Sequence, residues 1–132
     1  MPHPEYEVFA LRYAVSEPRT QRHVLIYPDD HDAPMPLDYY IWAVRGGGRT
    51  IVLDTGFDAA SGERRDRNYM RSPIDALKTI GIDAAEVEDV VLSHMHWDHA
   101  GHWHEFPKAR FHLQDAEMAF CTGRCMCHEP LR

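Results

Sequence analysis

The chain has 132 residues, with 14 Lys and Arg against 21 Asp and Glu, for a formal charge of −7. That balance argues against nucleic acid or an anionic membrane as a partner, and no apolar run approaches the ~18 residues of a membrane span. A hydrophobic content of 44% is ordinary globular usage, and the length suits one domain or half of a larger one.

In chain order, the start Met1-Pro2-His3-Pro4-Glu5 has neither the basic region nor the apolar core of a secretory signal, so a cytoplasmic protein is expected. The segments Val8 to Ala14 and His23 to Tyr27 read as strands, rich in β-branched and aromatic residues. Pro28 to Pro36, with three prolines and three aspartates, reads as a loop. Tyr39 to Arg45 and Arg49 to Leu53 form a predicted hairpin around Gly46-Gly47-Gly48. Both strands are nearly continuous in apolar residues, which predicts cover on both faces and hence a layered sheet with helices outside.

Residues 58–72 are polar and carry Arg64, Arg65, Arg67 and Arg71, as either a solvated loop or an anion-binding or gating loop. A helix follows: Ser72 caps it, Pro73 suits its first position, Gly81 ends it, and Ile74, Leu77 and Ile80 recur at helical spacing. Asp83-x-x-Glu86 predicts one further capped turn. Asp89 to Ser93 reads as a strand, Arg110 to Gln114 as another, and Asp115 as the cap of a helix over residues 116–121.

The strand at Asp89 delivers His94-Met95-His96-Trp97-Asp98-His99, four strong metal-ligand side chains within six residues. Imidazole nitrogen suits zinc and related first-row metals, and carboxylate oxygen extends the set to iron and manganese. Residues i and i+2 of an extended segment face one side, so His94 and His96 reach one metal together. Asp98 and His99 lie where the chain turns and could hold a second. Two metals roughly 3.5–4 Å apart can share a hydroxide and stabilise an oxyanion. His102 and His104 are read as capping a helix start or facing solvent, and His112 as pointing to the polar side of its strand. His3, His23 and His31 carry no motif.

The three cysteines, Cys121, Cys125 and Cys127, are odd in number and clustered, which fits free thiols in a reducing compartment better than a disulfide framework. With His128 they also spell a C-x3-C-x-C-H metal pattern, against the usual zinc spacing of C-x2-4-C pairs. The other reading is a helix that runs on past Arg132 in longer chains.

Leu92 to Gly101 resembles the metallo-β-lactamase superfamily signature, and Ile51 to Asp58 looks like its strand followed by an Asp-Thr-Gly loop. Within that superfamily the wording is most similar to the N-acyl homoserine lactone lactonases. Asp38 to Trp42, Gly81-Ile82-Asp83, Phe106-Pro107 with Ala109-Arg110, Glu117 to Phe120, and Thr122-Gly123-Arg124 carry that likeness. The resemblance implies an α/β fold, an αβ/βα sandwich with a mixed β-sheet and flanking helices. It implies two divalent metal ions, zinc first with iron or manganese as alternatives. His94 and His96 would bind one metal, Asp98 and His99 the other, and Asp98 would also receive a proton. Asp54 would orient a ligand through a hydrogen bond; read from the residues alone, it is also simply an acidic turn residue.

The implied function is a metal-dependent, quorum-quenching hydrolase that opens the lactone ring by a metal-bridging hydroxide. The implied partner is a small-molecule lactone, and Phe9, Tyr13, Tyr39 and Trp42 are either pocket or plain core. The resemblance implies three further ligands from a C-terminal half, a histidine for each metal and a bridging aspartate, and a tyrosine there that positions the lactone carbonyl. Residues 1–132 are therefore expected to be a single partial domain, truncated before that half, with marginal stability and a tendency to associate. A homodimer or a complementing chain would complete the site. The alternatives are another hydrolase of the superfamily (other lactone, thioester or phosphodiester) or an inactive fragment that binds metal weakly.

Overall fold

The computed structural model describes residues 4–124. The chain runs β1 (Tyr6–Ser16), β2 (Leu37–Gly46), β3 (Arg49–Leu53), α1 (Ala59–Arg64), β4 (Asn68–Tyr69), α2 (Pro73–Lys78), β5 (Asp89–Val91), β6 (Arg110–His112) and α3 (Asp115–Cys121). Single 3-10 turns lie at Gln21–His23, Ala84–Glu86 and Trp103–Glu105. The six strands form one mixed sheet in the order β4-β1-β2-β3-β5-β6. The first half is antiparallel, and β5 lies parallel between β3 and β6. Among the described residues no helix is long and apolar enough to cross a membrane.

Local chemistry accounts for the expected elements that form. Gly46 pairs with Arg49, and Gly47 and Gly48 between them have φ of 58° and 74°, the positive angles a two-residue hairpin turn requires. The Ser72 hydroxyl accepts from the Ile74 N–H at 3.1 Å, Pro73 occupies the first turn of α2, and Gly81 leaves it with φ of 75°. Leu77 is buried, with Ile74 and Ile80 packed half-buried against the same core. The Asp83 carboxylate accepts from Ala85 N–H at 3.0 Å and starts the next turn.

The core lies on one face of the sheet. Phe57 sits at its centre, with the rings of Trp97, Tyr13, Tyr39 and Tyr69 at 4.6, 5.0, 5.1 and 5.8 Å. Ile41, Ala43, Val52, Val90, Leu77 and Phe106 fill the remainder.

Four expectations are corrected. His23 to Tyr27 is not a strand. Val24 and Leu25 donate back to the Gln21 carbonyl, His23 Nδ1 lies 3.1 Å from the Thr20 N–H, and Ile26 and Tyr27 are exposed. Among the described residues no strand pairs with that segment, so the local turn wins. The strand β2 is covered on one face only. Tyr39, Ile41 and Ala43 are buried, whereas Tyr40 and Trp42 are 38% and 43% exposed, so the alternation of a one-sided strand overrides the apolar run. Residues 58–72 are not a plain loop, since Asp58 accepts from Ser61 N–H at 2.6 Å to cap α1 and Asn68–Tyr69 add an edge strand to β1. Asp115 is the first residue of α3, not its cap, because Gln114 holds the cap position without a side-chain bond.

Candidate metal centre

The six-residue motif leaves the C-terminal end of β5, which lies inside the sheet and is therefore held from both sides. Beside it, β3 ends in Asp54-Thr55-Gly56. Asp54 is buried and has φ of 60°, a left-handed backbone rare for a residue other than glycine. Its N–H donates to the Val91 carbonyl at 2.8 Å.

That carboxylate organises the motif. One oxygen accepts from Ser93 N–H at 2.7 Å; the other accepts from Ser93 Oγ at 2.9 Å and from His99 Nδ1 at 2.8 Å. The single hydroxyl proton of Ser93 is thereby committed, so Ser93 Oγ accepts from His94 Nδ1, 3.0 Å away. Both rings then carry their proton on Nδ1 and present Nε2 as a lone pair. His94 Nε2 faces His96 Nδ1 at 3.0 Å, and His99 Nε2 faces the Asp98 carboxylate at 3.5 Å. The His94 ring lies 4.5 Å from that of His96 and 3.9 Å from that of His99. All four motif side chains and Asp54 thus come together, with their donor atoms in two pairs. The donor chemistry fits divalent zinc, iron or manganese. The Asp54 carboxylate thus bonds one of the four motif side chains, His99, directly.

The electrostatics agree with this arrangement. Burial, then the neighbouring His99 and His96, hold His94 below the usual imidazole range, which favours the neutral ligand form. Burial works against the charged form of Asp54, but the bonds from His99 and Ser93 outweigh it and lower its pKa. Burial likewise opposes protonation of His99, and the Asp54 bond with the Asp98 and Asp54 charges outweighs that and raises it.

The turn is fastened to the sheet from several directions. His99 carbonyl accepts from Thr55 N–H at 2.6 Å and Thr55 Oγ1 at 3.1 Å. Gly101 N–H donates to Gly56 carbonyl at 2.7 Å, and a Cβ at Gly101 would stand 2.5 Å from that same oxygen. Tyr13 donates its hydroxyl to the Asp98 carbonyl at 3.2 Å, from beside the register shift of β1 between Arg12 and Ala14; bulges re-aim side chains in this way. Trp97 is clamped between Phe57 and the Arg65 guanidinium, 4.3 Å over its ring. On the outer side, Glu117 of α3 accepts from Met95 N–H at 2.9 Å and from Cys121 Sγ at 3.2 Å.

A cleft of about 260 Å³ adjoins Asp98 and His99, lined also by Leu37, Asp38, Tyr40 and Trp42. Of the four aromatics named from the sequence, Trp42, Tyr13 and Tyr39 line it, the two tyrosines mainly as core. Phe9 lies elsewhere, under the Arg45 guanidinium. Sequence reasoning gave Ser93, Glu117 and Tyr40 no role at the site, although all three lie in stretches that carry the family likeness. Adjacency to the motif was the available signal for Ser93, and two-residue alternation with Trp42 was the signal for Tyr40.

The Arg-rich stretch turns inward for part of its length. Arg67 Nε donates to Tyr39 Oη at 2.8 Å, Arg65 covers Trp97, and Arg64 bonds Ser61 at 2.8 Å. His112 binds Asp89 at 2.8 Å, as part of an ion cluster with Arg49 and Arg110. Cys121 is a free thiol. Cys125, Cys127 and His128 lie outside the described residues, as does His3.

The Metallo-beta-lactamase superfamily model matches residues 34–118. An N-acyl homoserine lactonase AttM of Rhizobium johnstonii is 45% identical over 47 residues, covering 36% of this chain and 18% of the relative. AttM of Agrobacterium fabrum is 40% identical over a stretch of the same length and coverage. Among solved structures, the hydrolase AbOPH of the beta lactamase superfamily superposes with a TM-score of 0.69 at 18% identity, over 89% of this chain and 44% of that one. A quorum-quenching N-acyl homoserine lactone lactonase gives 0.66 at 17% identity, over 90% and 49%. These superpositions establish the fold. The chain spans about half the length of those structures, and its aligned stretch spans under a fifth of the AttM relatives.

Proposed function

The chain belongs to the metallo-beta-lactamase superfamily, and we propose that it supplies the metal-binding half of a hydrolase that opens the ring of N-acyl homoserine lactones. The observation that carries the hydrolytic reading is the paired donor set, with Asp54 directing the free Nε2 atoms of His94 and His99 to the same side as His96 and Asp98. The stretch shared with the AttM lactonases supports the substrate class.

In this reading His94 and His96 hold one divalent ion, and Asp98 and His99 hold a second; zinc is first choice, with iron or manganese suited to the same donors. Bound metal supplies Lewis-acid polarisation of the lactone carbonyl and water of lowered pKa. The protein orients its ligands through Asp54 and Ser93, and Asp98 receives a proton at its carboxylate. Leu37, Tyr40 and Trp42 receive the acyl chain in the cleft beside Asp98. A catalytic zinc takes three protein ligands plus water, so the pairs require further ligands from a longer form of the chain, a second copy or a complementing chain. A cytoplasmic setting agrees with the free thiol of Cys121.

The test is metal content and turnover measured together on the purified 132-residue protein, loaded with zinc or manganese. Where two metals bind per chain, so that the pairs have found their further ligands, proton release from N-hexanoyl homoserine lactone, lost in Asp98→Asn, is expected. Turnover of a thioester or phosphodiester but no lactone refutes the substrate. No turnover of any of them with two metals bound refutes the catalytic reading.

A further inference from the structure

We propose that His102, His104 and Glu105 form a separate site for a zinc-class divalent cation, outside the His94–His99 cluster. One donor atom from each of the three lies within 4.8 Å of the other two. His104 Nε2 is 3.5 Å from Glu105 Oε1, and the His102 and His104 rings are 5.9 Å apart with 31° between their planes.

The local backbone explains why they converge. Trp103–Glu105 is a 3-10 turn closed by Glu105 N–H donating to the His102 carbonyl at 3.0 Å. Side chains three apart eclipse in this geometry, so Glu105 stands over His102. His102 itself is held before any metal arrives. Its N–H donates to Thr55 Oγ1 at 3.2 Å, and its Nε2 lies 3.4 Å from Tyr69 Oη. Its Nδ1 is buried beside the Phe57 backbone, which also holds the ring. The His104 and Glu105 side chains are 56% and 48% exposed, so a cation can enter from solvent and keep water.

Two imidazoles, one carboxylate and an open position match the three-ligand-plus-water set of zinc. Imidazole donors select zinc, cobalt, nickel or copper over magnesium and calcium. A bound cation would tie the turn after the motif to Thr55 and Tyr69. The site does not depend on the lactonase reading.

The experiment titrates the metal-free full chain with zinc and with cobalt, reading zinc per chain by elemental mass spectrometry and cobalt by its visible absorption. His104→Gln and Glu105→Gln are compared with wild type, since both positions are exposed and the fold tolerates them. His96→Gln serves as the control for the other cluster. The expected result is the loss of one zinc per chain, or roughly tenfold weaker binding of it, in both His104→Gln and Glu105→Gln, with that same zinc retained in His96→Gln. Superimposable isotherms and cobalt spectra for wild type, His104→Gln and Glu105→Gln overturn the proposal. Loss on His104→Gln with no change on His96→Gln would sink the other metal site and leave this one standing.

Discussion

Asp54→Asn tests how much of the metal loop one carboxylate holds. The side chain accepts three hydrogen bonds, at 2.7, 2.9 and 2.8 Å, from Ser93 N–H, Ser93 Oγ and His99 Nδ1. Asparagine tolerates the left-handed φ of 60° that Asp54 adopts, so backbone strain cancels in the comparison. It offers one acceptor oxygen, and its amide N–H2 must then face a donor, either Ser93 or His99. Bonds to a charged group are worth about 1.5–3 kcal/mol. Solvent access at Ser93 favours the lower end, so losing the charge and mispairing one donor costs about 2 kcal/mol, roughly thirtyfold in the folding constant. The same change frees His99 to rotate, and zinc affinity falls about 10- to 100-fold. Urea unfolding of the metal-free chain reads the first number, with an unchanged slope showing that only stability moved. Competition with a chromophoric chelator reads the second. Asp54→Ala adds about 1–2 kcal/mol for the left-handed backbone. If Asp54→Asn unfolds at the wild-type midpoint and binds zinc as tightly, the carboxylate does not organise the site.

Three further outcomes are expected. Gly101→Ala puts a methyl 2.5 Å from Gly56 O and 2.8 Å from Phe57 Cα; both are backbone, so the turn shifts at a cost of about 1–3 kcal/mol, and a zinc affinity equal to wild type would contradict this. Glu117→Ala removes the acceptor for Met95 N–H and should speed amide exchange at Met95; an unchanged exchange rate there would contradict the contact. Asp89 is held at about pKa 2 by the His112 bond first, then by Arg49 and Arg110. A lowered carboxylate pKa contributes stability that is present above the unfolded value near 3.8 and lost as pH falls through about 2. Asp89→Asn should therefore melt below wild type at neutral pH, with the gap closing between about pH 4 and 2; a gap independent of pH counts against the ion cluster.

Which elements and which donors were readable followed from how local their causes are. The Gly47-Gly48 turn, the Ser72-Pro73 start and Gly81 end of α2, and the His94–His99 motif are each written in adjacent residues, because turn angles, capping bonds and ligand spacing act over a few positions. His23 to Tyr27 and the one-sided cover of β2 were not readable. A β-rich run becomes a strand only if another strand lies beside it, and an apolar face is buried only if something packs on it. The sequence by itself determined that the histidines and aspartate of the motif cluster, and the strand that carries them. The tertiary structure decided that Asp54, some forty positions earlier, orients His94 and His99, that a bulge near Tyr13 aims its hydroxyl at Asp98, and that His102, His104 and Glu105 meet beside Tyr69. Those contacts join β1, β3, β4 and β5, and their register is set by sheet pairing and core packing summed over the whole chain rather than by any neighbouring residue.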